Sequence, residues 1–470
     1  MKVDPIIIWF RQDLRLAYNP AFLHAVKENS PLIAVYIWSP EEEGGWKLGA
    51  ASRWWLHHSL KALESELKMR GVQLCIQKGE SAAILKRIVK QTQAKQVVWN
   101  ARYEPDALKQ EKHVKEAIEK SGCAAASFHG NLLFPPGTIL TGEGNPYQVF
   151  TPFYRACLKE EIEPLEAKVP TKVTHFRLKL DHLKIDDLNL LPEIGWDKGF
   201  YDVWTPGEKG GQAALRQFIK KGLSDYSTAR DAPGMEGTSL LSPHLHFGEI
   251  APFQIWEELE NQRGSEPFLR QIIWREFAHH LLVHFPKTPN RALKEKFNDF
   301  PWKKDSRSLH IWQKGMTGYP IIDAGMRQLW KLGWMHNRVR MIAASFLVKD
   351  LMIPWQEGAK WFWDTLVDAD LANNTLGWQW CAGCGADAAP YFRIFNPETQ
   401  SKRFDPKGEY IRTFVPELKG LPDRWIHAPH LAPDDVLQKA GILLGKTYPL
   451  PIVDHDAARK YALKAYHSWS

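Results

Sequence analysis

Within the first 130 residues, five short apolar runs alternate with longer amphipathic stretches, and nothing else in the chain restricts the fold as much. The runs occupy residues 6–10, 32–38, 74–77, 97–100 and 124–128 and are mostly β-branched or aromatic. Between them, residues 52–70 read as a helix. Trp55, Leu56, Leu60, Leu63 and Leu67 recur there at three- and four-residue spacing, and Gly71 stands where a C-terminal cap belongs. Strand–helix alternation predicts an α/β domain: a parallel five-stranded sheet with helices on both faces. It is Rossmann-like in layout, but no G-x-G-x-x-G follows the first strand, so an ordinary dinucleotide-binding half is unsupported.

A chain of 470 residues exceeds one ordinary domain. The expected division is an α/β domain over residues 1–135, a connection over 136–211 and an all-α domain over 212–470. Pro164, Pro170, Pro192 and Pro206 punctuate the connection, and its periodicity is weakest from about residue 165. A composition of 44% hydrophobic and 24% charged residues is that of a soluble globular protein. The net charge of +7 permits an anionic partner, but it divides as about +4 before residue 150 and +3 after, so it does not locate one. Of 21 tryptophans, 15 lie after residue 195, which marks the C-terminal half as unusual.

Five scattered cysteines and no secretory signal fit a reducing, cytoplasmic setting. The first apolar run is too short to span a bilayer and meets Arg11, Asp13 and Arg15 at once. Cys381 and Cys384 have the spacing of a metal or redox pair, but no second pair completes a zinc site, so packed thiols and no metal are expected. The pairs His57–His58 and His279–His280 read as satisfied core or rim histidines.

Two segments interrupt the helical pattern with polar residues. In 330–351, a helix after Gly333 would put Asn337 and Met341 on one face with Arg340 beside them. Taken alone, an amphipathic helix with a solvated arginine side is the simpler reading. In 361–387, a helix would align Asp370, Asn374 and Trp378, and Asp368 is a natural partner for Arg340, because each would otherwise be buried alone. The plainer alternative is a tryptophan-rich core helix.

Eight strings make the reading specific: WFRQDLRL, TSLLSPHLHFGEI, WREF, TGYPIIDAGMRQL, GWMHNRVRM, DADLANN, GWQW and DAAPYFRIFNPETQ. In this order they resemble the photolyase/cryptochrome family, most closely its cyclobutane pyrimidine dimer photolyases. The resemblance implies an all-α domain holding a U-shaped FAD, in the reduced, anionic form when active. Tyr226 and the run Thr238, Ser239, Leu240, Leu241 and Ser242 would contact its phosphates. Asp368 and Asp370 would lie by the flavin and ribose, Arg340 would pair with Asp368, and Asn374 would sit beside flavin N5. Trp378, Trp355 and Trp302 would conduct electrons to the surface. For the flipped-out dimer, Trp274 and Trp380 would form walls, Met341 a floor and Asn337 a hydrogen-bond partner. Arg230, Arg338 and Gln400 would contact the DNA around the lesion. Gln271 departs from the glutamate common in these enzymes, which predicts retained binding and altered repair efficiency. Asn337 and Met341, where relatives that repair (6-4) photoproducts carry histidines, imply cyclobutane-dimer specificity. A second, light-harvesting chromophore is expected near Glu104, a folate (methenyltetrahydrofolate) being favoured over a deazaflavin. The partner implied is damaged DNA, acted on by a monomer with no membrane and no protein partner. The rival reading is a cryptochrome-type photoreceptor without repair activity; Asn374 argues against it.

Overall fold

The computed structural model describes residues 4–176 and 181–469. Strands β1 (Ile6–Phe10), β2 (Leu32–Trp38), β3 (Leu74–Lys78), β4 (Gln96–Asn100) and β5 (Ala124–Phe128) form one parallel sheet in the order β3-β2-β1-β4-β5. Ile8 is opposed by Ala34 on one side and Val98 on the other. β1 and β2 are buried along their whole length, which is why they read as unbroken apolar runs. Helices α1 (Pro20–Lys27), α2 (Ala50–Met69), α3 (Ser81–Thr92) and α4 (Pro105–Glu119) cover the two faces. Ile6, Ile8 and Phe10 pack with Phe22, Trp55 and Leu60 of α1 and α2, whereas Ile7, Trp9 and Val97 pack with Leu85 and Val114 of α3 and α4. The two-residue alternation of a strand divides the core in this way. The order of the strands switches between β1 and β4, where an open α/β sheet leaves a crevice at its carboxyl ends. Asn100 closes that end by donating to Asp13 at 2.6 Å and to Asn19 at 2.7 Å.

The stretch 136–211 contains a helix that its proline-rich pattern concealed: α5 (Phe150–Cys157). Phe150, Phe153 and Cys157 share one buried face, and the Phe150 ring stacks on Trp274 at 3.6 Å. From Glu208 onward the structure is helical, centred on the helices Glu266–His284, Asn337–Ser345, Trp355–Thr365 and Leu371–Ala382. The 361–387 segment is not one helix. Its chain turns after Thr365, and Asp370 begins a new helix as N-cap, its carboxylate accepting from the Asn373 amide at 2.8 Å.

The α/β and helical parts are joined by buried polar bonds. Arg15 reaches the carbonyls of Tyr18, Gly130 and Gly248. Glu208 accepts from the Leu16 and Ala17 amides, and Trp55 donates to Glu249 at 2.9 Å. All five cysteines are buried thiols, and among the described residues no group of side chains is arranged to hold a metal ion. No described helix is long and apolar enough to cross a membrane.

Candidate functional site

The helix Asn337–Ser345 begins at His336, whose ring accepts the Arg338 amide at 3.2 Å. This start fixes which face each residue takes. Val339, Ile342 and Ala343 turn into the core, while Asn337 and Met341 lie together on the outer face, 3.9 Å apart from Nδ2 to Sδ. Arg340 is not solvated, as an amphipathic helix would have it. Its Nη2 donates to both oxygens of Asp368, at 3.1 and 2.8 Å, and its Nε to the Met335 carbonyl at 2.7 Å. Ser242 Oγ donates to the same carboxylate at 2.7 Å. Asp368 therefore ties Arg340 to the loop 238–242 through two donors in a nearly buried position.

That loop has the character of an anion cradle. Leu240 takes a positive φ of 54°, and the amides of Thr238, Ser239 and Leu240 find no backbone acceptor among the described residues. A Cβ on Gly237 would meet the Ala229 carbonyl at 2.4 Å, so only glycine lets the loop lie against the helix Tyr226–Ala229. Tyr226 is buried beneath the Arg230 guanidinium, 5.7 Å from its ring centre. Hydroxyls and unpartnered amides beside a cation suit the phosphates of an adenine dinucleotide.

Asn374 donates through Nδ2 to the Ala359 carbonyl at 3.1 Å. Because that carbonyl only accepts, the amide orientation is settled and Oδ1 is left as an acceptor. A neutral oxygen that accepts suits an N–H such as N5–H of a reduced flavin and brings no negative charge. The donor set is compatible with FAD: Tyr226 and Thr238–Ser242 would meet the phosphates, Asp368 the ribose or ring edge, and Asn374 N5.

Asp370 sits differently from the expected alignment. One oxygen caps its helix; the other faces His246 at 3.6 Å and His279 at 3.5 Å. Burial works against its charge, yet His279 and His246 outweigh that and hold it well below the usual carboxylate range. His279 is the reciprocal case: burial lowers it, but Asp370 raises it above an ordinary imidazole. Its Nδ1 donates to the Arg275 carbonyl at 3.0 Å, so both ring nitrogens face acceptors and the imidazolium form is favoured. Sequence reading missed both histidines as site neighbours; a histidine in a core pattern gave no sign that it faced a carboxylate. They line a cleft between the two parts, together with Arg102, Glu104 and Arg275. A second cleft shares Arg102 and Glu104 and adds Trp46 and Trp363. Burial opposes the Glu104 charge, but Arg102 at 3.3 Å prevails and lowers its pKa.

The three tryptophans expected to conduct electrons belong to one core. Trp378 and Trp355 are buried in it and Trp302 packs on its edge against Phe300, ring centres 4.6 Å apart. The Trp378 ring lies so close to Gly358 that a Cβ there would come within 2.0 Å of it. Trp274 and Trp380 are each half-buried, Trp274 on the helix Glu266–His284 and Trp380 on Leu371–Ala382. Gln271 returns its Nε2–H to the Pro267 carbonyl at 3.2 Å and keeps Oε1 as an acceptor. Arg338 is held by Asp231 at 2.7 Å and covers the Phe404 ring, on the helix that carries Gln400. Cys381 and Cys384 are pushed up to about 12 by burial, which makes them inert thiols.

Comparison with known proteins identifies the family. Residues 6–171 match the family model described as DNA photolyase, and residues 268–468 the FAD binding domain of DNA photolyase. A deoxyribodipyrimidine photo-lyase of Agrobacterium fabrum is 48% identical over 99% of this chain and 98% of its own length. Cryptochrome-1 of Arabidopsis thaliana is 40% identical over 96% of this chain and 69% of its own. The crystal structure of a bacterial class III photolyase from Agrobacterium tumefaciens superposes with a TM-score of 0.97 at 47% identity, covering 100% of this chain and 98% of that one. With the sheet, the helical half and their joint all matched, the chain belongs to the DNA photolyase family and carries that family's FAD-binding domain.

Proposed function

We propose that this protein splits cyclobutane pyrimidine dimers in DNA under blue light, as a monomer in the cytoplasm. The observation that carries the reading is the Asn374 amide: a fixed, neutral acceptor, one helical turn from Trp378 and beyond the Arg340–Asp368–Ser242 network. A reduced flavin held there would, on excitation by light, lend the dimer one electron to open the cyclobutane ring and take it back once the ring is split. The protein's own residues bind, orient and exclude water. Arg340, Asp368 and Ser242 keep the cradle loop in place. A dimer inside a duplex is weakly stacked and paired, so turning it out costs less than turning out an intact base. Trp274 and Trp380 offer flat walls for it, Met341 an apolar floor, and Asn337 and Gln271 polar groups for the base edges. Arg230, Arg338 and Gln400 would meet the phosphates and the lesion's surroundings, and binding by those arginines would weaken as salt rises.

Trp302, Trp355 and Trp378 would refill an oxidised flavin from the surface. A second chromophore, a folate in our reading, would lie by Glu104, where the two clefts share Arg102 and an indole pair borders one of them. The rival photoreceptor reading draws on the cryptochrome relatives, and one experiment separates the two. Purified protein is illuminated at blue wavelengths with a dimer-containing oligonucleotide. Recovery of intact thymines supports repair. Flavin photoreduction without recovery supports the photoreceptor and ends the repair reading.

A further inference from the structure

The helical core contains a cation that the reading above does not use. Lys349 is 1% exposed, inside the turn Phe346–Asp350 where the helix widens to π geometry. Burying an ammonium is costly. Burial pulls its pKa down to about 8, against the opposing pull of Cys381 and Asp350. Packing alone does not call for lysine here, since an unbranched apolar side chain of similar length would fill the space. What lysine adds is a donor: Nζ donates to the Arg393 carbonyl at 3.1 Å and lies 5.2 Å from the Tyr391 ring centre. Four residues earlier, Ser345 Oγ accepts the Phe395 amide at 3.4 Å. Side chains at this spacing stand on one side of a helix, so the two hold successive points of a single loop. π turns of this kind recur at functional positions.

The loop runs from the helix that carries Trp380 to the helix Pro397–Phe404, whose last residue lies under Arg338. It presents Phe392, 62% exposed, next to an exposed Arg393. Phe392 offers its ring to water, and the neighbouring Arg393 guanidinium lies 5.9 Å from the Phe395 ring centre, a combination suited to a nucleic-acid surface. We propose that Lys349 is a positioning residue for damaged DNA: by pinning the Arg393 carbonyl it holds Phe392 and Arg393 at the rim of the dimer opening. The proposal rests on the repair reading. A loop already ordered loses less entropy on binding, so the pin raises affinity without touching DNA itself.

The test compares the flavin-loaded parent with Lys349→Met and Ser345→Ala. Four quantities are measured: affinity for a duplex with one cyclobutane dimer, tryptic cleavage after Arg393 read by mass spectrometry, flavin content and Tm. No carboxylate among the described residues pairs with Lys349, so Met removes the cost of burying a lone ammonium and forfeits one bond to a carbonyl that is only partly buried, and the two offset. Lys349→Met is therefore expected to keep Tm and flavin content, to be cleaved faster, and to bind the duplex about tenfold more weakly because the loop must be ordered on binding. Ser345→Ala shifts cleavage and affinity the same way, by less. Parent-like cleavage or parent-like affinity in Lys349→Met overturns the proposal, as does a loss of affinity that runs in parallel with flavin and Tm. Should Lys349→Met not accumulate folded, Ser345→Ala decides: faster cleavage with weaker binding supports the pin, and parent-like behaviour refutes it. If the parent shows no preference for the damaged duplex, the repair reading fails, while the cleavage arm still supports or refutes the pin.

Discussion

Arg15 at the joint between the two parts and Arg340 in the helical domain are both arginines set among apolar elements, but their surroundings differ in kind. Arg15 is 1% exposed and uses all five donors, on Tyr18 O twice and on Gly130 O, Gly248 O and Asn131 Oδ1 once each. Its network is closed and leaves nothing for a ligand. Arg340 keeps 23% of its side chain exposed and shares Asp368 with Ser242, at the edge of a loop whose Thr238, Ser239 and Leu240 amides have no backbone partner among the described residues. A saturated polar cluster holds a fold together; one with bonding capacity left over is arranged for something else.

The comparison is open to breaking at four points. Arg15→Met leaves three buried carbonyls without donors, so denaturant unfolding should register a loss of about 3–5 kcal/mol, with the flavin spectrum of the remaining folded protein unchanged. A loss below about 1 kcal/mol would mean that the closed network is not structural. Arg340→Met strands the Asp368 charge, but its partial exposure reduces the cost to about 2–3 kcal/mol. Here the flavin should leave on gel filtration, and full retention would break the distinction between the two arginines. Trp378→Phe removes less, on the order of 1–2 kcal/mol of packing. It should abolish photoreduction of the oxidised flavin while chemically reduced protein still repairs; equal loss of both would contradict its role as a conductor.

The smallest effect at mild acidity concerns pH. His129 in the α/β domain and His336 in the helical domain are pushed down to about 4, chiefly by burial. Their unfolded forms take a proton near pH 6.5, so their contribution to stability is present above that value and fades as pH falls toward 4. Midpoints of denaturant unfolding should follow that window, and His129→Gln should flatten the part that belongs to the α/β domain. A flat parent profile between those values would remove the argument.

Much of this molecule was legible in order along the chain. The strand runs 6–10, 32–38 and 124–128 coincide with β1, β2 and β5, and β3 and β4 each gain one residue; for β1 and β2 the reason is that a strand buried on both faces has no polar position to blur its limits. The pairing of Arg340 with Asp368 was also accessible, since two opposite charges set among apolar residues have few places to go. α5 was not, because prolines around it masked a helix whose reason to form is the Glu266–His284 helix it packs on. Nor was the break at Thr365, which is set by the need of Asp370 to cap a helix and meet two histidines from distant segments.

By itself the sequence determined the layers, the sheet and the residue types available for the site, because periodicity and the cost of burying charge act locally. Only the tertiary structure decided that Ser242 and Arg340 meet on one carboxylate, that Asn374 gives its amide N–H to the Ala359 carbonyl, and that Lys349 reaches the Arg393 carbonyl. Each of those bonds joins residues far apart in the chain or depends on a neighbour from another helix. Hydrogen bonding is directional over about 3 Å, a precision that no spacing along the chain can specify.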